Sequence, residues 1–282
     1  MAKPTKAELI SQKKFLARQK VYERKYQKQF YWYLNSINRS IATDISDNGL
    51  YNLDINSHIN EEKLTAIYEK LYFDVSINEA KITYKDEIKP ETGKKDLITD
   101  LIAILGFGKD EGVLINLWRS LLKEFIIVRI AGRITQVNDT TRRHLALIIQ
   151  KGISEGLGAQ EVAKLIRDDT GYNRNRSLAI ARTETITAGN QGKFIAASSS
   201  DYVMVKRWIP AMDARTRISH RGMYDTPFID MEQNFWVANE KGMIEPGLYP
   251  GAETFSASNV INCRCSISFK VKRDERGNII AK

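Results

Sequence analysis

Two cysteines, three histidines and six prolines are all that a chain of 282 residues holds of those types, and each scarcity excludes something. The cysteines, Cys263 and Cys265, stand one residue apart, too close for an ordinary structural disulfide, so a disulfide-stapled scaffold is excluded and a reducing compartment is expected. No apolar run approaches the roughly 20 residues of a membrane-spanning helix. The lysine-rich start MAKPTKAELISQKKF also has neither the apolar core nor the cleavage site of a signal peptide. A soluble, non-exported protein without a membrane partner is therefore expected. The segment GFGKDEG has glycines and a lysine but not the G-x-x-x-x-G-K-[ST] order of a phosphate-binding loop, and it reads as a turn between helices. Neither a serine elbow nor a dinucleotide fingerprint occurs, and the carboxylates are scattered along helices, whereas a Mg²⁺-dependent nuclease clusters them. What remains, with 43% hydrophobic and 27% charged residues, is the balance of a folded globular chain, long enough to bury a core without metal or disulfide staples.

The net charge of +9 is concentrated at one end. Ten basic residues face two acidic ones in the first 39 positions, and the other 243 positions carry only +1. This segment lacks internal Gly and Pro from Lys6 to Ala42, and Phe15, Tyr22, Tyr26, Phe30 and Tyr33 recur at steps of seven, four, four and three. That period predicts one long helix with an aromatic stripe, roughly 50 Å in length at 1.5 Å per residue. Two readings follow. The stripe packs on the protein's own core or on a neighbouring subunit while the lysines are solvated, or Lys13, Lys14, Arg18, Lys20, Arg24, Lys25 and Lys28 contact DNA phosphates without reading sequence.

Helical spacing continues at Glu61–Lys81, with Leu64, Ile67, Leu71 and Val75 on one side. A turn is expected at Lys89–Lys95, an apolar helix at Asp96–Leu105, a glycine turn through Gly106, Gly108 and Gly112, and an apolar run from Val113 to about Val137. Asn138 or Asp139 is expected to cap a separate helix that ends at Gly156, with His144 on its solvated surface. Beyond Gly158 a short helix, a polar turn around Gly171–Asn175 and a longer helix are expected. The small residues of that last helix, Gly189 and Gly192 among them, permit close packing.

From Val203 the pattern turns to short strands: VMVKRWI (Val203–Ile209), FWVA, and VINCRCSISFKV (Val260–Val271). The predicted fold class is α+β, a mainly helical amino-terminal half with a long basic helix and then an α+β module with a small sheet. Expected boundaries are 1–44 for the arm, 45–157 for a helical domain, 158–272 for the α+β module and 273–282 for a polar tail.

Within that module the order ARTE (Ala181–Glu184), KRW (Lys206–Trp208), D-A-R-T-R-x-x-H (Asp213–His220), a Pro-containing segment and I-N-C-R-C (Ile261–Cys265) resembles the phage Mu F-like family of minor head proteins, over about Gly158 to Phe269. Asp225 stands where that pattern has a glycine after the histidine. The resemblance implies a non-enzymatic structural protein of a tailed bacteriophage, made in the host cytoplasm and placed in the virion head near the portal. It implies the portal or major capsid protein as partner, with packaged double-stranded DNA and its delivery as a further role, and no small-molecule substrate. Its motif residues, Arg182, Glu184, Trp208, Asp213, His220, Asn262, Cys263, Arg264 and Cys265, are expected to be structural.

Two chemistries are open for these residues. Asp213, His220, Cys263 and Cys265 offer the oxygen, nitrogen and sulfur donors of a tetrahedral zinc site, although zinc sites usually separate their cysteines by two to four residues. Alternatively the cysteines, sharing one face of a strand with Arg264 opposite, pack as small buried groups while Asn262 and Arg264 bond Glu184 or Asp213. The second reading expects no metal and no cofactor. An enzymatic alternative, a nuclease or transferase acting on nucleic acid, would need Cys263 activated by His220, and a host DNA-binding adaptor is the remaining alternative.

Overall fold

The computed structural model describes residues 3–50, 53–88 and 111–282. Long helices come first: α1 (Lys6–Asn48), α2 (Glu61–Thr83), α3 (Glu111–Ser154), α4 (Ala159–Asp168) and α5 (Thr170–Ser198). Then follow strands β1 (Met204–Ile209), β2 (Ile229–Asp230), β3 (Phe235–Ala238), β4 (Ile244–Gly247) and β5 (Ser266–Val271), with one-turn helices α6 (Ile218–Arg221) and α7 (Ala257–Val260) among them. The fold class is α+β, as the sequence pattern indicates. No helix among the described residues is long and apolar enough to cross a membrane. The turn expected at Lys89–Lys95, the helix at Asp96–Leu105, and Gly106 and Gly108 lie outside the described residues, whereas Gly112 is inside α3.

The chain divides into two compact units, Glu23–Lys70 with Ile126–Ala181, and Arg182–Lys282 with Leu71–Phe125 and the start of the chain up to Tyr22. In the first unit the α1 residues Tyr26, Phe30, Tyr33, Leu34, Ile37 and Ile41 are buried. Phe30 meets the Tyr68 ring edge-on at 5.2 Å, and the Tyr33 hydroxyl donates to Asn138 Oδ1 at 3.1 Å. That bond explains a departure from expectation. Asn138 is buried, and its amide donates to Glu61 Oε1, so it caps nothing and α3 runs unbroken past it. The polar run at Gly171–Asn175 is helical for the same reason, since buried Asn173 donates to Asn35 Oδ1 at 2.9 Å inside the packed interior. His144 is not simply solvated: its Nε2 pairs with Asp169 and its ring stacks on Tyr172.

In the second unit the sheet has the order β2-β1-β5, all antiparallel, with Trp208 opposite Ile267 and Met204 opposite Val271. Strands β3 and β4 form a separate two-stranded ladder with Phe235 opposite Gly247. Beside the sheet, α5 approaches its neighbours closely. A Cβ on Gly189 would fall 2.7 Å from the Phe15 ring, and one on Gly192 would fall 2.6 Å from Ser76 Cα and closer still to the Ser76 carbonyl. The Ser76 hydroxyl donates to the Ala188 carbonyl at 2.8 Å across the same contact. Poor helix formers are tolerated in α5 because their lack of bulk lets backbones touch.

Candidate functional site

The motif residues come from four stretches of the second unit, and the way each is placed starts from α5. Arg182 Nη1 donates to Asn262 Oδ1 at 3.3 Å, while buried Glu184 accepts from the Tyr72 hydroxyl at 2.7 Å. Thr183 Oγ1 accepts the Asn262 amide at 3.0 Å. About two turns further, Asn190 is buried and fully used: Nδ2 donates to the carbonyls of Pro250 and Cys265, both at 3.0 Å, and Oδ1 accepts the Ile267 amide at 3.2 Å. α5 thereby fixes both ends of the I-N-C-R-C turn.

That turn is where expectation and structure part. The strand begins at Ser266, not Val260, and Asn262 adopts φ +58°, a left-handed conformation that breaks an extended run. The cysteines consequently do not sit on one face of a strand. The turn aims Cys263 Sγ and Cys265 Sγ at His220 Nδ1, at 3.6 and 3.5 Å, and the Cys265 amide points to Cys263 Sγ at 3.5 Å.

His220 is held from its other side. Glu245 Oε2 accepts from the Ser256 amide at 3.0 Å and from Asn259 Nδ2 at 2.8 Å, which leaves Asn259 Oδ1 facing His220 Nε2 at 3.1 Å. A carbonyl oxygen only accepts, so Nε2 carries the proton and Nδ1 presents its lone pair to the sulfurs. Hydrogen bonding from Cys265, with help from His220, holds the Cys263 thiol well below its usual value against the opposing effect of burial, while burial and the adjacent Cys263 push Cys265 well above. Burial disfavours the Glu245 anion, yet its bonds from Asn239, Ser256 and Asn259 outweigh that and pull it down to about 2.

Asp213 lies outside this group. Its Oδ1 accepts Arg264 Nη2 at 2.8 Å, Thr216 Oγ1 at 3.2 Å and the Arg215 amide at 3.0 Å. Burial opposes ionisation, but these donors keep the carboxyl below its usual range. Trp208 is buried at the centre, with its ring edge-on to His220, Phe235 and Phe255 at 5.3, 5.5 and 5.9 Å. Its motif neighbours are anchored too. Buried Lys206 donates Nζ to the Met231 carbonyl at 2.7 Å, and burial lowers it to about 8. Arg207 stacks on Phe228 and pairs with Glu8 at 3.4 Å.

Among the basic residues singled out on α1, Arg18 is already engaged. It forks onto fully buried Glu79 through Nε and Nη2 at 2.8 and 2.7 Å, which raises its pKa. Lys13, Lys14, Lys20, Arg24, Lys25 and Lys28 are exposed. Sequence reasoning did not single out Asn190, Glu245 or Asn259. An Asn amid the small residues of α5 was the one readable signal, since a buried amide demands partners.

No solved structure matches this chain. It is 26% identical over 142 residues to the NAD(+)--arginine ADP-ribosyltransferase EFV of Enterococcus faecalis, a match covering 49% of this chain and 28% of that protein. It is 28% identical over 130 residues to minor head protein GP7 of Bacillus phage SPP1, covering 45% of this chain and 40% of the phage protein. The chain thus spans well under half the length of either curated relative. Residues 143–268, the stretch that holds all of these motifs, match the family model described as phage Mu protein F like protein.

Proposed function

We propose that this protein is a non-enzymatic minor head component of a tailed bacteriophage, built into the virion head during morphogenesis near the portal. The observation that carries this reading is the match of residues 143–268 to the phage Mu F-like family model together with the phage minor head relative. The internal chemistry supports it. Arg182, Glu184, Asp213, His220 and Arg264 each bond a partner that ties one segment to another. Cys263 and His220, the pair a nucleophilic reading would need, are 3% and 1% exposed, which leaves no face for a substrate. The transferase named among the relatives is a protein of which this chain spans 28%, and its activity is not carried over. The portal or major capsid protein is the partner in this reading, and the host cytoplasm is the place of assembly.

The exposed cations of α1 support a further role toward packaged DNA. Lys13, Lys20, Arg24 and Lys28 follow steps of seven, four and four, so they line one outward stripe of the helix. Mass spectrometry and cryo-EM of purified particles test the main reading: the protein is expected in the head, and particles lacking it in an otherwise complete proteome would refute that. For the DNA role, charge reversal at Lys13, Lys14, Lys20, Arg24, Lys25 and Lys28 is the appropriate perturbation. If about half of these reach phosphates, log K against log salt should fall with a slope near −3 in the native protein and flatten in the variant, for any duplex sequence. Equal slopes would remove the DNA role and leave the head assignment standing.

A further inference from the structure

The His220–Cys263–Cys265 group serves no step in head assembly as proposed above, and it gathers one nitrogen and two sulfur donors at a single buried point. The Nδ1 atom of a neutral imidazole has one lone pair, which accepts one S–H proton; here two sulfurs lie at equal range of it, 3.5 and 3.6 Å. A tetrahedral zinc with Zn–S of about 2.3 Å and Zn–N of about 2.0–2.1 Å separates sulfur from nitrogen by about 3.5 Å. The three donor atoms all lie within 4.8 Å of one another.

We propose that His220 Nδ1, Cys263 Sγ and Cys265 Sγ bind one zinc ion, which staples the turn after α7 to the segment carrying α6. The second layer of contacts suits this use. Glu245 orients Asn259, Asn259 Oδ1 accepts a hydrogen bond from His220 Nε2–H, and the free lone pair on Nδ1 points to the sulfurs, the arrangement that metal-bound histidines commonly receive from their outer partners. The turn is preset as well, because Thr183 and Asn190 on α5 hold Asn262 and Cys265 by their backbones and the left-handed Asn262 swings both sulfurs to one side. This is how a spacing with a single intervening residue, unfavourable in a strand, becomes workable. Two thiolates and an imidazole select a borderline-soft ion over Mg²⁺ or Ca²⁺. All three donors are buried, so the ion would tie chain segments together out of reach of a substrate. Binding releases the thiol protons to solvent, and no redox step is involved.

The test uses the full chain, purified under reductant without chelator from zinc-supplemented cells. Elemental analysis should give about one zinc per chain, chelator should lower the melting temperature, and Co²⁺ exchanged into the native protein should show sulfur-to-cobalt charge-transfer absorption with the visible bands of a tetrahedral ion. Cys263→Ser and Cys265→Ser should each remove most of the metal. If those variants fail to fold, the cobalt spectrum of the unaltered protein decides. A folded native chain that holds under a tenth of an equivalent of zinc and gives no cobalt–sulfur band overturns the proposal, as does full zinc retention in folded cysteine variants.

Discussion

Replacing Trp208 by alanine probes the centre of the second unit more directly than any other single change. The side chain is 1% exposed and is enclosed by three rings, His220, Phe235 and Phe255, that come from three different segments. Truncation removes the transfer energy of the indole and leaves a cavity whose walls belong to β3, α6 and the loop before α7, so partial collapse would have to move all of them. A loss of about 3–5 kcal/mol is expected, in the upper range for large buried side chains. For a unit of this size that corresponds to a fall in melting temperature of order 10 °C. Trp208→Phe keeps an aromatic edge against the same rings and should cost well under half as much. Urea titrations followed by far-UV circular dichroism avoid the fluorescence lost with the residue and read the difference as a midpoint shift. An alanine variant within about 1 kcal/mol of the native protein would refute the reasoning, because it would mean that the three rings do not depend on Trp208 for their packing.

Gly192→Ala places a methyl group against the Ser76 backbone, where no flexible side chain can yield, so it should destabilise by about 1–3 kcal/mol in the same assay; a neutral result would show that α5 can slide away from α2. Glu245 is held near 2 in the folded protein against an ordinary 4.5, so its contribution is fully present above pH 4.5 and is lost as pH falls toward 2. Melting temperatures measured across that window should fall for the native protein and fall less for Glu245→Gln, by a modest margin because the carboxylate is only partly enclosed; parallel profiles would contradict the bonding described.

Periodicity made the helices legible and chain proximity did not. The aromatic stripe of α1, the apolar side of α2 and the strand at Trp208 all follow from residue spacing, since burial of one face imposes its period on the sequence. Asn138 and Asn173 misled because an asparagine in a helix reads as a cap or a turn, and only the partner supplied by another helix, Tyr33 or Asn35, makes it an interior residue. Strands β2 and β4 carry two and four residues, too few to show alternation. For the motif cluster, residue types were readable and placement was not. Whether Asp213 or Asn259 stands beside His220 depends on one loop and one left-handed residue, neither of which has a period.

The same limit bears on the basic segment, whose charge made it look like a detachable arm. Its early residues are part of the second unit's interior. Gln12 donates to the Arg264 carbonyl at 3.0 Å and accepts from Ser266, Glu8 pairs with Arg207, and Phe15 is fully buried against α5 at Gly189. Further along, Tyr26, Phe30 and Tyr33 are core residues of the first unit. Deleting this helix would expose several large rings and orphan the carboxylate of Glu79, so loss of DNA binding in a truncated chain would report unfolding and say nothing about phosphate contacts. Any attraction to a polyanion has to be carried by the outward stripe while the inward one stays packed. This is why the decisive comparison changes charges on the exposed side at constant helix, and why retention of the native melting temperature in that variant is the condition for interpreting its salt dependence.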